Sequence, residues 1–447
     1  MQNTENVMSE PPAIDSTAHA STVIESTWDV IVVGAGAAGL VAAATAAARG
    51  KRTLLLEKNR KPGVKILMSG GTRCNITQAT DNRGIVAAYG PPGRFLHSAL
   101  AALGVQETIA MFESEGVATK VEPTGKIFPA SDKALDVLNA LLRRAERSGV
   151  ALALDEALLE IERNDVGFLL RSSKRHLRTT NLLITTGGQS YPGCGTTGDG
   201  YRFAAQFGHT IVPPRPALVP VTTDAAWVRN LRGITIPDVR VKVVEPAGEQ
   251  VEAKKSKSGK PRVLADRRGS FLFAHFGLSG PAILDVSRAV SGHDHPRTLS
   301  LVCDFLPDIS SADLDALLRG RAETAGKKQL VNLLPEELPH RLCEALLAAS
   351  GLEPTLRAGE VGSKVRAQAV EALKAQAIPV SGTCGFGKAE VTAGGVSLVE
   401  VDSKSLQSKL VPRLYLAGEV LDLDGPIGGY NFQAAWSTGY LAAMSME

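Results

Sequence analysis

Cysteine is scarce and unpatterned in this chain. Cys74, Cys194, Cys303, Cys343 and Cys384 stand far apart with no Cys-x-x-Cys pair. That spacing supplies no zinc or iron–sulfur ligand set and reads as a reduced, cytoplasmic chain, so no metal is expected. Charge of one sign is also missing. A formal net charge of +3 over 447 residues sets up no strong field towards nucleic acid or anionic lipid, and neither is expected as a partner. Long apolar runs are absent too. The longest, around residues 40–48, falls well short of the roughly 18 residues that cross a bilayer, so a soluble protein is expected. Residues 1–27 contain four acids (Glu5, Glu10, Asp15 and Glu25), no Lys or Arg and no apolar stretch. They resemble neither a signal nor a transit peptide and read as a disordered tail.

What the chain does have is glycine, 44 of them, and they are clustered. The length suggests two or three domains. Asp29-Val30-Ile31-Val32-Val33 is a β-branched run of the kind that forms a buried parallel strand. It leads into Gly34-Ala35-Gly36-Ala37-Ala38-Gly39, an alanine-rich helix to about Arg49, a capping Gly50, and a second strand, Thr53-Leu54-Leu55-Leu56, ending at Glu57. Residues 95–149 read as two helical stretches around a turn-and-strand segment, the second helix covering 131–148. Residues 151–154, 158–163, 168–172 and 181–186 read as short strands, a meander at the edge of a nucleotide-binding sheet.

The predicted fold class is therefore α/β, a Rossmann-type domain of three layers with a parallel sheet and a β-meander. Its first part covers residues 28–207. A Pro- and Val-rich, β-barrel-like insertion follows over 208–305, then a helical subdomain over 306–380, and residues 381–447 return to the first domain. The basic stretch 254–268 lacks interleaved aromatics and reads as a solvated hairpin tip rather than a nucleic-acid patch.

A Gly-x-Gly-x-x-Gly string alone says little. Here it follows a strand and opens a helix, and an acid, Glu57, stands 23 positions after Gly34. Gly34 permits the tight turn, Gly36 lets the backbone approach a pyrophosphate, and Gly39 lets the helix pack on the sheet. Free N–H groups at the helix start attract phosphate, and Glu57 accepts hydrogen bonds from ribose hydroxyls. This motif does not choose between NAD and FAD. The choice comes from residues 414–432, LYLAGEVLDLDGPIGGYNF, a strand and a glycine-rich loop before a helix over 433–443. Such a loop brings N–H donors to a flavin ribityl chain or C2 carbonyl, which NAD does not need.

At this point the chain resembles a known family, the BaiN/RdsA-type (YhiN-like) NAD(P)/FAD-dependent oxidoreductases. The resemblance is carried by residues 34–39, 65–75 (KILMSGGTRCN), 185–188 (TTGG), 195–200 (GTTGDG), 275–281 (HFGLSGP), 389–396 (AEVTAGGV) and 418–433. It implies non-covalent FAD, with NAD(P)H as a transient donor, and a small-molecule substrate. The contacts it implies are Gly34, Gly36, Ala38, Gly39, Glu57, Lys58, Met68, Ser69 and Gly70, then Gly71, Arg73, Asn75, the backbone of Ala157, Thr186 and Gly187, and finally Gly418, Glu419, Gly429, Asn431 and Phe432. Thr72, where relatives often carry Gly, and Pro426-Ile427 in the last loop depart from the family pattern.

Two catalytic candidates follow. His275, before a Gly-Leu-Ser-Gly-Pro turn, reads either as a proton donor facing the flavin or as a histidine bonded within its turn. Asn431 orients the ring or a substrate carbonyl. Cys74 is a redox candidate but reads better as a small buried thiol. Residues 193–198 match Gly-x-Gly-x-x-Gly literally without the flanking strands, so they predict a loop before a helix over 201–207. The activity expected is hydride transfer from NAD(P)H through FAD to an organic acceptor, with a conjugated C=C as the weak analogy from relatives. A flavin oxidase passing electrons to oxygen or quinone, and a non-catalytic flavin sensor, stay open as alternatives.

Overall fold

The computed structural model describes residues 26–246, 261–325 and 327–447. Strand Ser26–Val33 forms the centre of the first sheet, and its Val30, Ile31 and Val32 are wholly buried. Burial of that kind stabilises by roughly 1.5–3 kcal/mol per side chain, which is why a β-branched run settles here. It pairs in parallel with Thr53–Leu56 on one side and His176–Ile184 on the other. Ala151–Ala153 extends the sheet beyond Thr53–Leu56, and Leu414–Leu416 beyond the second half of His176–Ile184, all in parallel. Leu158–Asn164 and Gly167–Ser172 form the antiparallel meander, joined to the first half of His176–Ile184. Strand pairing begins at Ser26, so the last two residues of the expected tail are strand; the rest of it lies outside the described residues.

Helix Ala37–Ala48 packs between this sheet and helix Tyr430–Ser445, which explains its alanine content. The backbones approach so closely that a Cβ at Gly439 would strike the carbonyl of Ala38. The two ends of the chain thus build one domain.

Strand Ile211–Ala217 leaves this domain and pairs antiparallel with Val391–Val396, where the chain returns. Between them lies a seven-stranded antiparallel sheet. Its order is Gln376–Pro379, Ser300–Asp304, Thr235–Glu245, Arg262–Ala274, Gly277–Ser279, Val221–Thr222, Gly382–Thr383. The two end strands are consecutive in the chain. Val380 N–H donates to Leu299 O (3.1 Å) and Ser381 N–H to Thr222 O (2.9 Å), so two adjacent residues bridge opposite edges and close the sheet into the barrel-like form.

Helices Ser311–Thr324, His340–Ala349 and Ser363–Lys374 pack onto this sheet within the same insertion. Their Leu314, Leu342 and Leu373 are buried in one cluster with Val241, Phe271 and Phe305 of the sheet. Gly382–Thr383, just past the expected boundary at 380, pairs with Val221–Thr222 of the insertion's sheet. The basic stretch begins outside the described residues, which omit 247–260. Its described end is ion-paired: Arg268 with Asp238 and Asp308, and Asp266 with Arg240. Among the described residues no single helix is long and apolar enough to cross a membrane, and no group of His, Cys, Asp and Glu has metal-ligand geometry.

Candidate active site

A cavity of about 470 Å³ runs from the first glycine turn to the glycine-rich loop before helix Tyr430–Ser445. Gly34 takes φ +102°, and a Cβ there would meet Thr185 O at 2.8 Å, so this turn needs glycine for its own backbone. Gly36 differs. Its φ of −86° suits any residue, and no protein atom lies within 4 Å of where a Cβ would stand. The space beside Gly36 is therefore cavity that packing does not use. Gly39 does not line the cavity; a Cβ there would collide with Gly34 O, which makes it a packing glycine.

Glu57 ends the second strand with both oxygens engaged, one accepting from Ala35 N–H and the other from Asn59 N–H, each at 2.8 Å. Beside it, Lys58 donates to Thr197 Oγ1 (2.6 Å) and pairs with Asp199 (2.5 Å). Asn59 donates to Cys194 O at 2.9 Å. Residues 193–198 are thus a loop folded against the same cavity rather than a second nucleotide turn, and helix Asp199–Gln206 follows. Thr186 lines the wall with a buried hydroxyl that has no partner. Ala157 also lines it, but its N–H donates to Ser173 Oγ and its carbonyl accepts from Ser173 N–H, so its backbone is committed to the meander.

Helix Val64–Thr72 breaks at Ser69, Gly70 and Gly71, which leave helical geometry; Gly70 and Gly71 are left-handed at φ 55° and 68°. The break turns Met68, Ser69 and both glycines towards the cavity. Arg73 lies over the Phe128 ring at 3.9 Å and pairs with Glu122 at 2.6 Å. With its amide oriented to satisfy its neighbours, Asn75 donates to Thr77 O and Ile127 O and accepts from Gly429 N–H at 2.9 Å. Asn431 accepts from Gly425 N–H (2.8 Å) and donates back to Gly425 O (3.0 Å). These two asparagines hold the glycine loop, and Phe432, stacked on Trp436, backs it.

Asn431 therefore braces this loop with its amide while it also lines the cavity. The expectation for His275 is corrected. It sits exposed at the turn between Arg262–Ala274 and Gly277–Ser279, its ring edge-on to Phe276, and does not line the cavity. Cys74 is buried and its thiol is pushed up to about 12 by burial, which suits an inert thiol. Gly187, Gly418 and Glu419 also line the cavity.

Apart from His275, the sequence pattern marks no polar group on the insertion side for a role in the site. Glu390 faces the cavity from the residue ahead of Val391–Val396, with Lys65, Lys126 and Tyr191 in the same lining. Burial pushes its carboxyl up, against Lys126 and Lys65, which pull it down. Tyr191 holds a left-handed backbone, φ 52° and ψ 67°, uncommon for a bulky residue. Asp285, on helix Pro281–Ser291 of the insertion, accepts from Ile427 N–H at 2.8 Å and so touches the glycine loop. Glu390 lies in the quoted segment 389–396, the one signal that marked it.

Residues 28–445 match the family model described as HI0933-like protein Rossmann domain. The chain is 33% identical over 422 residues to a ribosomal RNA dihydrouridine synthase of Escherichia coli, covering 94% of this chain and 98% of that protein. A 3-dehydro-bile acid delta(4,6)-reductase of Clostridium scindens is 30% identical over 415 residues, covering 92% and 97%. Among solved structures, a 3-ketosteroid-delta4-(5alpha)-dehydrogenase from Rhodococcus jostii superposes with a TM-score of 0.48 at 16% identity, covering 96% and 99% of the two chains.

Proposed function

The chain belongs to the HI0933-like family and is an oxidoreductase, and from that premise we propose that it holds one FAD non-covalently and reduces a carbon–carbon double bond conjugated to a carbonyl. The observation that carries the reading is the unused space at Gly36. It adjoins the helix start, where N–H groups favour a pyrophosphate, and leads to Glu57 on one side and the glycine loop on the other. When bound, FAD accepts and donates hydride, which no side chain here does. The protein positions it, supplies loop dipoles at its ring, and closes the pocket with the insertion.

The choice of acceptor is supported by the relatives. One is named for making dihydrouridine and the other for reducing a bile-acid double bond; both names describe saturation of a C=C within reach of a carbonyl. The electron donor in this reading is NAD(P)H, met transiently at the flavin. Two sources share the acceptor chemistry, a free small molecule and a uridine of ribosomal RNA, the second favoured by the 33% identity over nearly the whole chain.

The test is an absorbance spectrum of the purified protein, followed by anaerobic NADH or NADPH and then an acceptor. Flavin bands that bleach with the nicotinamide and return with a conjugated steroid ketone support the small-molecule source; return only with uridine-bearing RNA supports the other. Bands that return only with oxygen point to the oxidase. A colourless protein that cannot be reconstituted with FAD removes the reading.

A further inference from the structure

Five carboxylates line the cavity: Glu57, Glu156, Asp199, Glu390 and Glu419. Four are committed. Glu57 accepts from Ala35 and Asn59, and Glu156 from Ser172 and Arg175. Asp199 is paired with Lys58, and Glu419 accepts from Lys65, Ser190 and Thr392. Among the described residues Glu390 has no hydrogen bond or ion pair through its side chain. Its backbone is fixed, with N–H donating to Leu218 O at 3.1 Å, while the side chain opens into the cavity. It stands where the insertion meets the first domain, its backbone held by Leu218 and its carbonyl accepting from Ser190 Oγ.

We infer that Glu390 is the catalytic acid of this site, the group that delivers a proton to the substrate carbon next to its carbonyl. The inference rests on the reductase reading above. Saturating a conjugated C=C adds one hydride to the β-carbon and one proton to the α-carbon. The cofactor, when bound, supplies the hydride. The Glu390 O–H bond breaks as the new C–H bond forms, leaving a carboxylate that regains its proton from solvent. An acid in this role must reach the substrate space and have no partner competing for its proton, and Glu390 meets both conditions. The protein around it raises its affinity for the proton, Lys126 and Lys65 oppose that and Asp285 adds a smaller push, while the side chain itself stays exposed to the open cavity. Lys65 is itself held by Glu419 at 2.6 Å, so part of its charge is already neutralised. Tyr191 shares this wall, and burial pushes its phenol up, which leaves it the weaker acid of the two.

The experiment compares wild type, Glu390→Gln and Glu390→Asp. Each is reduced anaerobically with dithionite and mixed rapidly with either a 3-keto-4,6-diene steroid or a uridine-bearing RNA oligonucleotide. With flavin content unchanged, Glu390→Gln should reoxidise on the order of 100-fold or more slowly and lose the alkaline fall in rate that wild type shows, with Glu390→Asp between the two. Infrared titration supplies a readout free of turnover: wild type should show a carboxylic C=O band persisting above the ordinary glutamate range, absent in Glu390→Gln. A Glu390→Gln protein within threefold of wild type, with the same pH profile and the same band, overturns the assignment alone. Should that variant not fold, a Glu390→Asp protein with wild-type rate and profile does the same. A wild-type flavin that neither acceptor reoxidises takes down the reductase reading and this assignment together.

Discussion

One carboxylate oxygen of Glu57 accepts the N–H of Ala35 at 2.8 Å, fastening the end of the second strand to the turn that follows the first. The same side chain thus shapes the glycine turn and presents acceptor capacity to a ribose. Glu57→Ala should raise the FAD dissociation constant at least about tenfold, since a charge-assisted hydrogen bond contributes about 1.5–3 kcal/mol. Glu57→Gln, which keeps an acceptor oxygen, should lose less. Fluorescence titration of apoprotein with FAD measures both, and equal affinities across the three proteins would remove Glu57 from the cofactor site.

Gly36 and Gly39 stand three residues apart and should fail in opposite ways. Gly36→Val places its side chain where no protein atom stands, so the apoprotein should fold and melt like wild type while losing flavin absorbance. Gly39→Ala forces a Cβ into the Gly34 carbonyl and should destabilise the fold itself, by about 1–3 kcal/mol or more. Thermal melts with and without FAD separate the two. A Gly36→Val protein that keeps its flavin would sink the cofactor placement.

Burial pushes the Asp285 carboxyl above its usual range, while the hydrogen bond from Ile427 N–H pulls the other way. A carboxyl whose folded pKa exceeds its unfolded one contributes stability that is complete below about pH 3.9 and is lost as pH rises through the folded value. Asp285→Asn keeps an oxygen for Ile427 N–H and removes the ionisation. It should therefore raise Tm at neutral pH, with the gain shrinking to nothing towards about pH 3.9. A Tm difference that does not vary with pH would show that Asp285 ionisation is not linked to folding.

The first βαβ unit is legible in the sequence because everything that makes it is local: a β-branched run, three glycines at fixed spacing, and an acid at the next strand end. The cofactor loop is legible for the same reason, although the amides of Asn75 and Asn431 that hold it are not, since their partners depend on tertiary placement. His275 shows the limit. Its turn is readable, but the direction it faces is set by how the insertion's sheet closes through Val380 and Ser381, a pairing between chain segments far apart. His275→Ala should accordingly change kcat/KM less than twofold. Glu390 is hidden in the same way, because its freedom comes from what Lys65, Ser190 and Thr392 do with Glu419 instead.

Those last contacts join four segments at one point. Lys65 Nζ donates to Glu419 (2.6 Å) and to Ser190 Oγ (2.7 Å), and Glu419 accepts from Ser190 Oγ (2.8 Å) and Thr392 N–H (2.9 Å). The Lys65 and Glu419 side chains are only 25% and 20% exposed, so solvent screens the pair less than it would a surface pair. Lys65→Met leaves the carboxylate without its cation and should cost about 1–3 kcal/mol, and Glu419→Gln strands the ammonium at a similar cost. The double variant removes both charges and should recover part of the loss, giving a coupling of about 1–2 kcal/mol in a denaturant-melt cycle. Strictly additive losses would mean that the ion pair does not hold the segments together, leaving that role to the Ser190 and Thr392 hydrogen bonds.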